Sequence, residues 1–450
     1  MTSTNAPPRF STRQAAAGLL RRVLEEDAYA HLALASMLER HTGLSGPDRG
    51  FITELLYGTL RHLPRLDSAL RKATNRPLKR VDGALLALCR VAAYEALVLG
   101  TADHALVNEA VDAARRLRGP NAGGFVNGML RGLLRLRDAG TLIPTTAATV
   151  DGVVERTGLL PWLAADVSTR LGLKDADAFG QACLQRPLMH LCVPLANRRD
   201  AVIDALAARG TPCAPHPWCP TGVVLETGAG SMEDALNALG SDALVQNVAS
   251  QAVALWGAAL ARTHGPRVLD LCAAPGGKSA VLAAQGFHVV SGDLHLSKLH
   301  LARRQWARLK VAPHAVALDG RAPPFQPGSF DVVVLDAPCT GTGLLSRRPD
   351  ISAHRKAEDV ASLAQLQAQL LDAASSLVRP GGALLYSVCS VTRAEGPGVV
   401  EAFAASQPTF TRQVCPLPVP ADALEDGGLT LWPHRHAVDG FYAAALVRAG

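Results

Sequence analysis

Two cysteines and three aspartates stand at equivalent points of the chain, each at or just beyond the end of a short apolar run. Cys339 follows VVVLDAP and Cys389 follows ALLYSV, while Asp293 ends HVVSGD, Asp319 ends HAVALD and Asp336 lies in VVVLDAP. If the two cysteine-bearing runs are neighbouring parallel strands, about 4.8 Å apart, both thiols enter one cleft. Paired thiols beside carboxylates suit methylation at a carbon atom. An exocyclic amine attacks a methyl donor directly through its lone pair, whereas cytosine C5 is too weak a nucleophile until a thiolate adds at C6. Asp336 is placed to bind the N3/N4 edge of such a ring and to hold the proton that relieves charge on the adduct. The base must leave its stack for this chemistry. Residue types alone do not rank the two thiols.

A glycine-containing loop, LDLCAAPGGKS at residues 269–279, precedes these segments. Its Gly277-Lys278-Ser279 tail would complete a phosphate-binding loop only with glycine five residues before Gly277, where Cys272 stands. Asp270 at the loop's start also opposes a phosphate ligand. A cationic ligand removes the conflict, and S-adenosylmethionine has that character: a sulfonium, two ribose hydroxyls and an adenine amino group. Gly276 and Gly277 would let the backbone approach the methionine portion. Asp293, 16 residues after Gly277, would accept from the ribose hydroxyls, and Asp319 from the adenine amino group.

These side chains need strands that end together. Strand-like RVLDLCA, HVVSGD, HAVALD, FDVVVLDAP and ALLYSVCS alternate with helical segments at 279–284, 297–310 and 357–378, which predicts a mostly parallel, doubly wound α/β sheet with its ligand beyond the carboxyl ends of the strands. Ahead of it, 188–240 holds LMHLCVPLA and TGVVLETG around the helix-like AVIDALAARG, a small α/β subdomain. From 12 to 137 apolar residues recur at three and four positions, broken at glycine and proline, which predicts an all-α bundle. Residues 141–160 read as a connector leading into a short helix around Pro161, Trp162 and Leu163. The expected division is therefore an all-α domain at 1–140, a helical linker at 141–187, the small subdomain at 188–245 and the catalytic domain at 246–450.

At 450 residues and 48% apolar content the chain can fill more than one core. Residues 1–140 carry 20 Lys+Arg against 13 Asp+Glu, although the net charge of the whole chain is only +6, so the helical region is the one suited to a polyanion. The opening residues lack a hydrophobic signal core and no run of about 18 apolar residues occurs, which predicts a cytoplasmic location and no membrane partner. Nine cysteines without a repeating spacing predict reduced thiols. Cys89, Cys183, Cys192 and Cys415 read as small buried hydrophobes. Cys213, His216 and Cys219 offer only three ligands where structural zinc takes four, and His434 and His436 read as surface residues, so no metal is expected.

LDLCAAPGGKS, LDAPCTGTGLLSRRPDI and LLYSVCSVTRAEG together resemble the RNA cytosine-C5 methyltransferases of the NOL1/NOP2/Sun family. ALVQNVASQ and LWPHRHAVDGFYAAAL are similar to that family's segments before the cofactor loop and at the closing strand, and the likeness spans about 188–447. The resemblance implies a class I, Rossmann-like fold with S-adenosylmethionine as cofactor. It further implies cofactor contacts at Cys272, Ala273, Ala274, Pro275, Gly276, Gly277, Lys278, Asp293, Asp319 and Asp336, with Cys389 as nucleophile and Cys339 assisting product release. DRGFITELLYGTLR, HALVNEAVDAAR and GGFVNGMLR resemble the NusB RNA-binding fold, and that fusion implies 16S ribosomal RNA of the small subunit as substrate. Three positions depart from the family pattern: Cys192-Val193-Pro194 replaces Arg-Val-Asn, Asn247 replaces an acid, and Val388 replaces a threonine. Two other functions fit parts of the pattern. An amino-group RNA methylase would carry Asn or Asp followed by Pro-Pro and an aromatic residue where Asp336-Ala337-Pro338-Cys339 stands, and a non-catalytic RNA-binding, assembly or antitermination module would have no use for two thiols in one cleft.

Overall fold

The computed structural model describes residues 10–74, 76–142, 147–226, 236 and 239–450. The chain divides into two compact units, Met1–Arg186 with Leu345–Arg355, and Pro187–Leu344 with Lys356–Gly450. Among the described residues no helix is long and apolar enough to cross a membrane.

The first unit is helical: α1 (Thr12–Glu25), α2 (Ala30–Arg40), α3 (Gly46–Ala73), α4 (Gly83–Tyr94), α5 (Asp103–Arg118), α6 (Pro120–Asp138), α7 (Val150–Thr157), α8 (Pro161–Leu171) and α9 (Leu173–Leu184). Side-chain oxygens start several of these helices: Ser11 accepts from the Gln14 N–H, Ser45 from Asp48 and Asp82 from Ala84 and Leu85, satisfying donors that the first turn leaves open. The three- and four-residue apolar spacing becomes a core containing Leu20, Ile52, Leu55, Leu56, Leu70, Leu106 and Leu130. Gly58 is required there by close approach, because a Cβ on it would lie 2.1 Å from the Tyr94 ring, whose hydroxyl donates to Glu54 at 2.5 Å. Part of the stretch expected as connector is helical. Thr149 caps α7 by accepting from the Gly152 N–H, and Gly158, at φ +73°, ends it; two turns are too short to display a periodicity.

The second unit begins with a four-stranded antiparallel sheet, order β2-β3-β1-β4, made of β1 (Met189–Cys192), β2 (Cys213–Pro215), β3 (Gly222–Leu225) and β4 (Leu244–Val245), with α10 (Arg199–Ala207) between β1 and β2. Leu191, Val202, Leu206, Val223 and Leu225 form its core. Then follow α11 (Val248–His264), β5 (Arg267–Leu271), α12 (Gly277–Ala284), β6 (His288–Asp293), α13 (Leu296–Leu309), β7 (His314–Ala317), β8 (Phe330–Asp336), α14 (Ala357–Leu377), β9 (Val378–Val388), α15 (Pro397–Ser406), β10 (Phe410–Gln413), β11 (Leu424–Glu425), β12 (Gly428–Leu431) and β13 (Phe441–Arg448).

These strands form one sheet of order β11-β12-β13-β9-β8-β5-β6-β7, with β10 on β13. The pairs β5–β6, β6–β7, β5–β8 and β8–β9 are parallel, and β13 is antiparallel to β9. From β5 the chain winds one way to β6 and β7, then returns to place β8 on the other side of β5. That reversal leaves a crevice at the carboxyl ends of β5 and β8, where doubly wound sheets bind ligands. The central strands are near-continuous apolar runs because helices cover both faces: Val332, Val333, Val334 and Leu335 are fully buried. β9 starts earlier than its apolar run suggests. Phe330 pairs with Val378 and Val332 with Ala383, so Arg379, Pro380, Gly381 and Gly382 form an irregularity within the strand.

Candidate active site

The loop after β5 is shaped by what it touches. Cys272 at φ +60° and Gly276 at φ +89° turn the backbone, and Trp306 Nε1 donates to the Gly276 carbonyl at 2.8 Å. A Cβ on Gly276 would lie 2.7 Å from Ala302 Cβ and 2.8 Å from the Trp306 ring, and one on Gly277 would lie 3.2 Å from Gln246 Nε2. The glycines are therefore needed for packing against α13 and Gln246. Asp293, at the end of β6, fixes the loop from its other side: Oδ2 accepts from the Ala274 N–H at 3.0 Å and Oδ1 from the His295 N–H at 2.9 Å.

Beside this loop is a cavity of about 480 Å³ with Cys272, Ala274, Asp293, Asp319, Asp336 and Pro338 on its wall, together with Leu294 and Leu318. Ala273, Pro275, Gly276, Gly277 and Lys278 lie off that wall and act on the loop's shape or on Asp336. Asp319 holds Arg321 in a two-pronged contact, Nε to Oδ1 at 3.0 Å and Nη2 to Oδ2 at 2.6 Å; this guanidinium and the Arg321 N–H hold the exposed carboxyl down to about 2. Burial, reinforced by the surrounding aspartates, pushes the Cys272 thiol up to about 12, which removes it as a nucleophile. Asp270 does not face this space. It is fully buried and accepts from Ser279 Oγ at 2.5 Å, Ser279 in turn accepting from Ser291 at 2.7 Å. Burial lifts its carboxyl to about 6, and its position under α12 removes the ground on which the sequence set it against a phosphate.

Asp336 ends β8 opposite Ser387 of β9. Ser387 Oγ donates to Oδ1 at 2.8 Å, and the Lys278 ammonium donates to Oδ2. Burial lowers the affinity of Lys278 for its proton, but Asp336, Asp270 and the Cys389 sulfur together carry it above the ordinary value. The sulfurs of Cys339 and Cys389 are 3.2 Å apart, and neither is in a disulfide. Contact with the Cys389 sulfur, then burial and the charge on Cys389, raise the Cys339 thiol well above the ordinary range, so it keeps its proton at neutral pH.

Comparison with known proteins converges on one family. Residues 257–447 match the model for the 16S rRNA methyltransferase RsmB/F and residues 11–135 that of the NusB family. A putative methyltransferase of Mycobacterium tuberculosis is 36% identical, covering 98% of this chain and 97% of its own length. The probable ribosomal RNA small subunit methyltransferase B of Bacillus subtilis is 31% identical, covering 98% and 100%. The chain belongs to the RsmB/F family. It is thus an RNA methyltransferase that uses S-adenosylmethionine. Among solved structures, PH0851 superimposes with a TM-score of 0.77 at 23% identity, covering 97% of this chain and 99% of that one. A methyltransferase homologue from Pyrococcus horikoshii gives 0.56 at 23% identity, covering 67% and 100%. Both share the fold.

In this RsmB/F methyltransferase the sequence reading missed a buried acid between the two thiol loops. Glu395 is fully buried and accepts from the Thr340 N–H at 2.7 Å, the hydroxyls of Thr340, Ser390 and Thr392 at 2.5, 2.6 and 3.0 Å, and Gln367 Nε2 at 3.2 Å. The hydroxyl-rich VCSVTRAEG was its only sequence signal, and an acid after a strand ordinarily reads as solvated. Gln246 and Asn247 are also structural. Asn247 Oδ1 accepts from the Ser250 N–H at 2.7 Å and caps α11, a role an aspartate would fill equally, so this departure from the family pattern leaves the helix start intact. Cys219 donates to Gln251 at 3.4 Å, and the His216 ring meets Trp218 edge-on at 4.7 Å. The expectation of surface histidines near the end is corrected: His436 is buried, with Nδ1 accepting from the Trp432 N–H at 2.8 Å, and His434 is partly buried. The turn at the start of the closing segment folds both inward.

Proposed function

We propose that this methyltransferase modifies C5 of a cytosine in 16S ribosomal RNA of the small subunit, through a transient bond between Cys389 and C6. The observation that carries the proposal is the 3.2 Å separation of the Cys339 and Cys389 sulfurs, next to a carboxylate, Asp336, whose charge acts on Cys339. Methylation at an amino nitrogen requires neither thiol.

The cavity fits the cofactor. Three carboxylates on its wall suit a cation with hydroxyl and amino donors, and Leu294 and Leu318 give an apolar surface for a ring. Asp293 would hold the ribose hydroxyls through lone pairs not used by Ala274 and His295, Asp319 the adenine amino group, and the loop backbone at Cys272 and Ala274 the methionine portion. When bound, S-adenosylmethionine supplies an electrophilic methyl group. The Cys389 sulfur adds to C6 and pushes the ring electrons towards C5, turning an unreactive carbon into an enamine carbon. Asp336 binds the N3/N4 edge and holds the proton that offsets charge on the adduct, while Lys278 keeps Asp336 in place. With Cys389 bonded to C6, Cys339 gives its own proton to solvent and, as a thiolate, takes the C5 proton; the C5–C6 double bond re-forms and the Cys389 thiolate leaves. We assign the basic residues of 1–140 to RNA phosphates, which position the substrate while the cleft selects the base.

Bisulfite mapping of 16S rRNA with and without this gene identifies the modified base. Cys389→Ala is expected to abolish methyl transfer without weakening cofactor binding. Cys339→Ala is expected to accumulate an RNA adduct that survives denaturation. Full activity of Cys389→Ala would reject the covalent scheme.

A further inference from the structure

We infer that Glu395 is a positioning residue that clamps the two thiol loops together and sets the separation of their sulfurs. The inference rests on the two-thiol mechanism proposed above and adds to it a residue that touches neither substrate nor cofactor. The five donors on its carboxylate come from three places. Thr340 is the residue after Cys339, Ser390 is the residue after Cys389, and Gln367 belongs to α14. Gln367 Nε2 also donates to the Pro338 carbonyl at 2.9 Å, so the Cys339 loop is held on both sides of its cysteine. The Tyr386 hydroxyl donates to the Glu395 carbonyl at 2.6 Å, which fixes the acid to β9.

A fully buried carboxylate ordinarily has a cation, because burying a lone charge costs several kcal/mol. Among the described residues Glu395 has none; three hydroxyls, the Thr340 backbone N–H and the Gln367 amide take that role. Such an arrangement is favourable only while every donor is aimed at it. Each donor is thereby fixed as well, and two of them flank the thiols. Uncharged contacts also stitch the loops: Gly343 N–H to the Cys389 carbonyl at 3.1 Å, Val391 N–H to Thr342 Oγ1 at 3.0 Å, and the Thr342 and Ser390 hydroxyls to each other at 2.9 Å. Glutamine at position 395 offers one acceptor oxygen in place of two and directs an NH₂ group at donors, so at least one side of the clamp opens.

The test uses the full-length protein. The first readout is the pH profile of Cys339 alkylation by iodoacetamide, followed by mass spectrometry, and it does not depend on the methylation mechanism. Glu395→Gln is expected to move that profile to lower pH, with Glu395→Asp in between, while S-adenosylmethionine affinity stays at the wild-type value. The second readout is release of methylated RNA, expected to slow by about ten- to a hundredfold, since misplacing a reacting group by about 1 Å costs on the order of a hundredfold. The covalent adduct should accumulate, with no further increase in the Cys339→Ala/Glu395→Gln double variant. An unchanged alkylation profile in Glu395→Gln overturns the clamp. If Cys339→Ala gives no adduct, the covalent mechanism fails, and the alkylation profile still decides the role of Glu395. Because the Glu395 charge also acts on Cys339 directly, Thr340→Val and Ser390→Ala, which keep that charge and each remove one hydroxyl from it, decide the clamp. Both are expected to shift the profile in the same direction, and wild-type profiles in both overturn it, whether or not Glu395→Gln folds.

Discussion

Replacing Gly276 by alanine tests the cofactor loop with a single methyl group. At φ +89° the new Cβ costs about 1–2 kcal/mol from backbone crowding alone. It would also lie 2.7 Å from Ala302 Cβ and 2.8 Å from the Trp306 ring. Neither neighbour has room to retreat, since both are buried and Trp306 is fixed by its bond to the Gly276 carbonyl. Overpacking of that kind adds about 1–3 kcal/mol, for a local strain of about 2–5 kcal/mol. The loop relieves it by moving away from α13, and Ala274, bonded to Asp293, moves with it. Gly286 supplies the control: φ is +90° but a Cβ there meets nothing within 4 Å, so Gly286→Ala carries the backbone cost only. In calorimetric titration with S-adenosylmethionine, Gly276→Ala is expected to bind about ten- to a hundredfold more weakly, corresponding to about 1.4–2.8 kcal/mol of that strain. Gly286→Ala is expected to bind like wild type. Equal affinities in the two variants would refute the claim that packing at Gly276 shapes the cofactor site.

Lys278→Met leaves the Asp336 carboxylate without its cation, and breaking such a pair costs about 3–5 kcal/mol when fully buried; Asp336 retains some solvent contact, so single-turnover methyl transfer is expected to fall by about a hundredfold, the lower end of that range. Asp336→Asn keeps the shape but loses both the charge and the means to hold a proton, and quenched-flow assays with RNA at saturating S-adenosylmethionine should show slow adduct formation. Asp270 has a folded-state value of about 6, above that of an unfolded aspartate, so its contribution to stability is complete below about pH 4 and lost as pH rises through 6. Asp270→Asn should therefore gain stability relative to wild type across that window, by up to about 3 kcal/mol, and thermal melts at pH 4 and 8 that show the same difference between the two proteins would contradict this.

Strand ends were legible because apolar runs bounded by acids leave few alternatives. Asp293 and Asp336 terminate β6 and β8, and the expected cleft follows from parallel pairing of β8 with β9. The helical first unit was equally readable from its apolar spacing. What escaped depends on contacts distant in sequence. Gly276 resembles a glycine that makes room for a ligand, and only the position of Trp306, 30 residues later, shows that α13 occupies the space. Asp270 resembles an exposed acid at a loop until Ser279 and Ser291 close over it. Glu395 carries no periodicity at all; its burial is a property of the five groups that converge on it.

The contact between the thiols also orders their use. The influences that keep Cys339 protonated are, in decreasing size, its contact with the Cys389 sulfur, burial, and the charge on Cys389, followed by Glu395 and Asp336. Two of the three largest depend on Cys389 having a sulfur with electrons to share. Once that sulfur is bonded to C6 it is a neutral thioether, both influences fall away, and Cys339 becomes more acidic at the stage where a base is needed to remove the C5 proton. Before addition the same contact makes Cys339 a poor nucleophile, so the two thiols do not compete for the ring. Cys389→Ala imitates the later stage by deleting the sulfur. In that variant Cys339 is expected to react with iodoacetamide at distinctly lower pH than in the wild-type protein, its profile moving towards that of an ordinary thiol. A profile left at the wild-type position would mean that burial alone holds the proton, and the order of the two steps would then have to be set by the substrate.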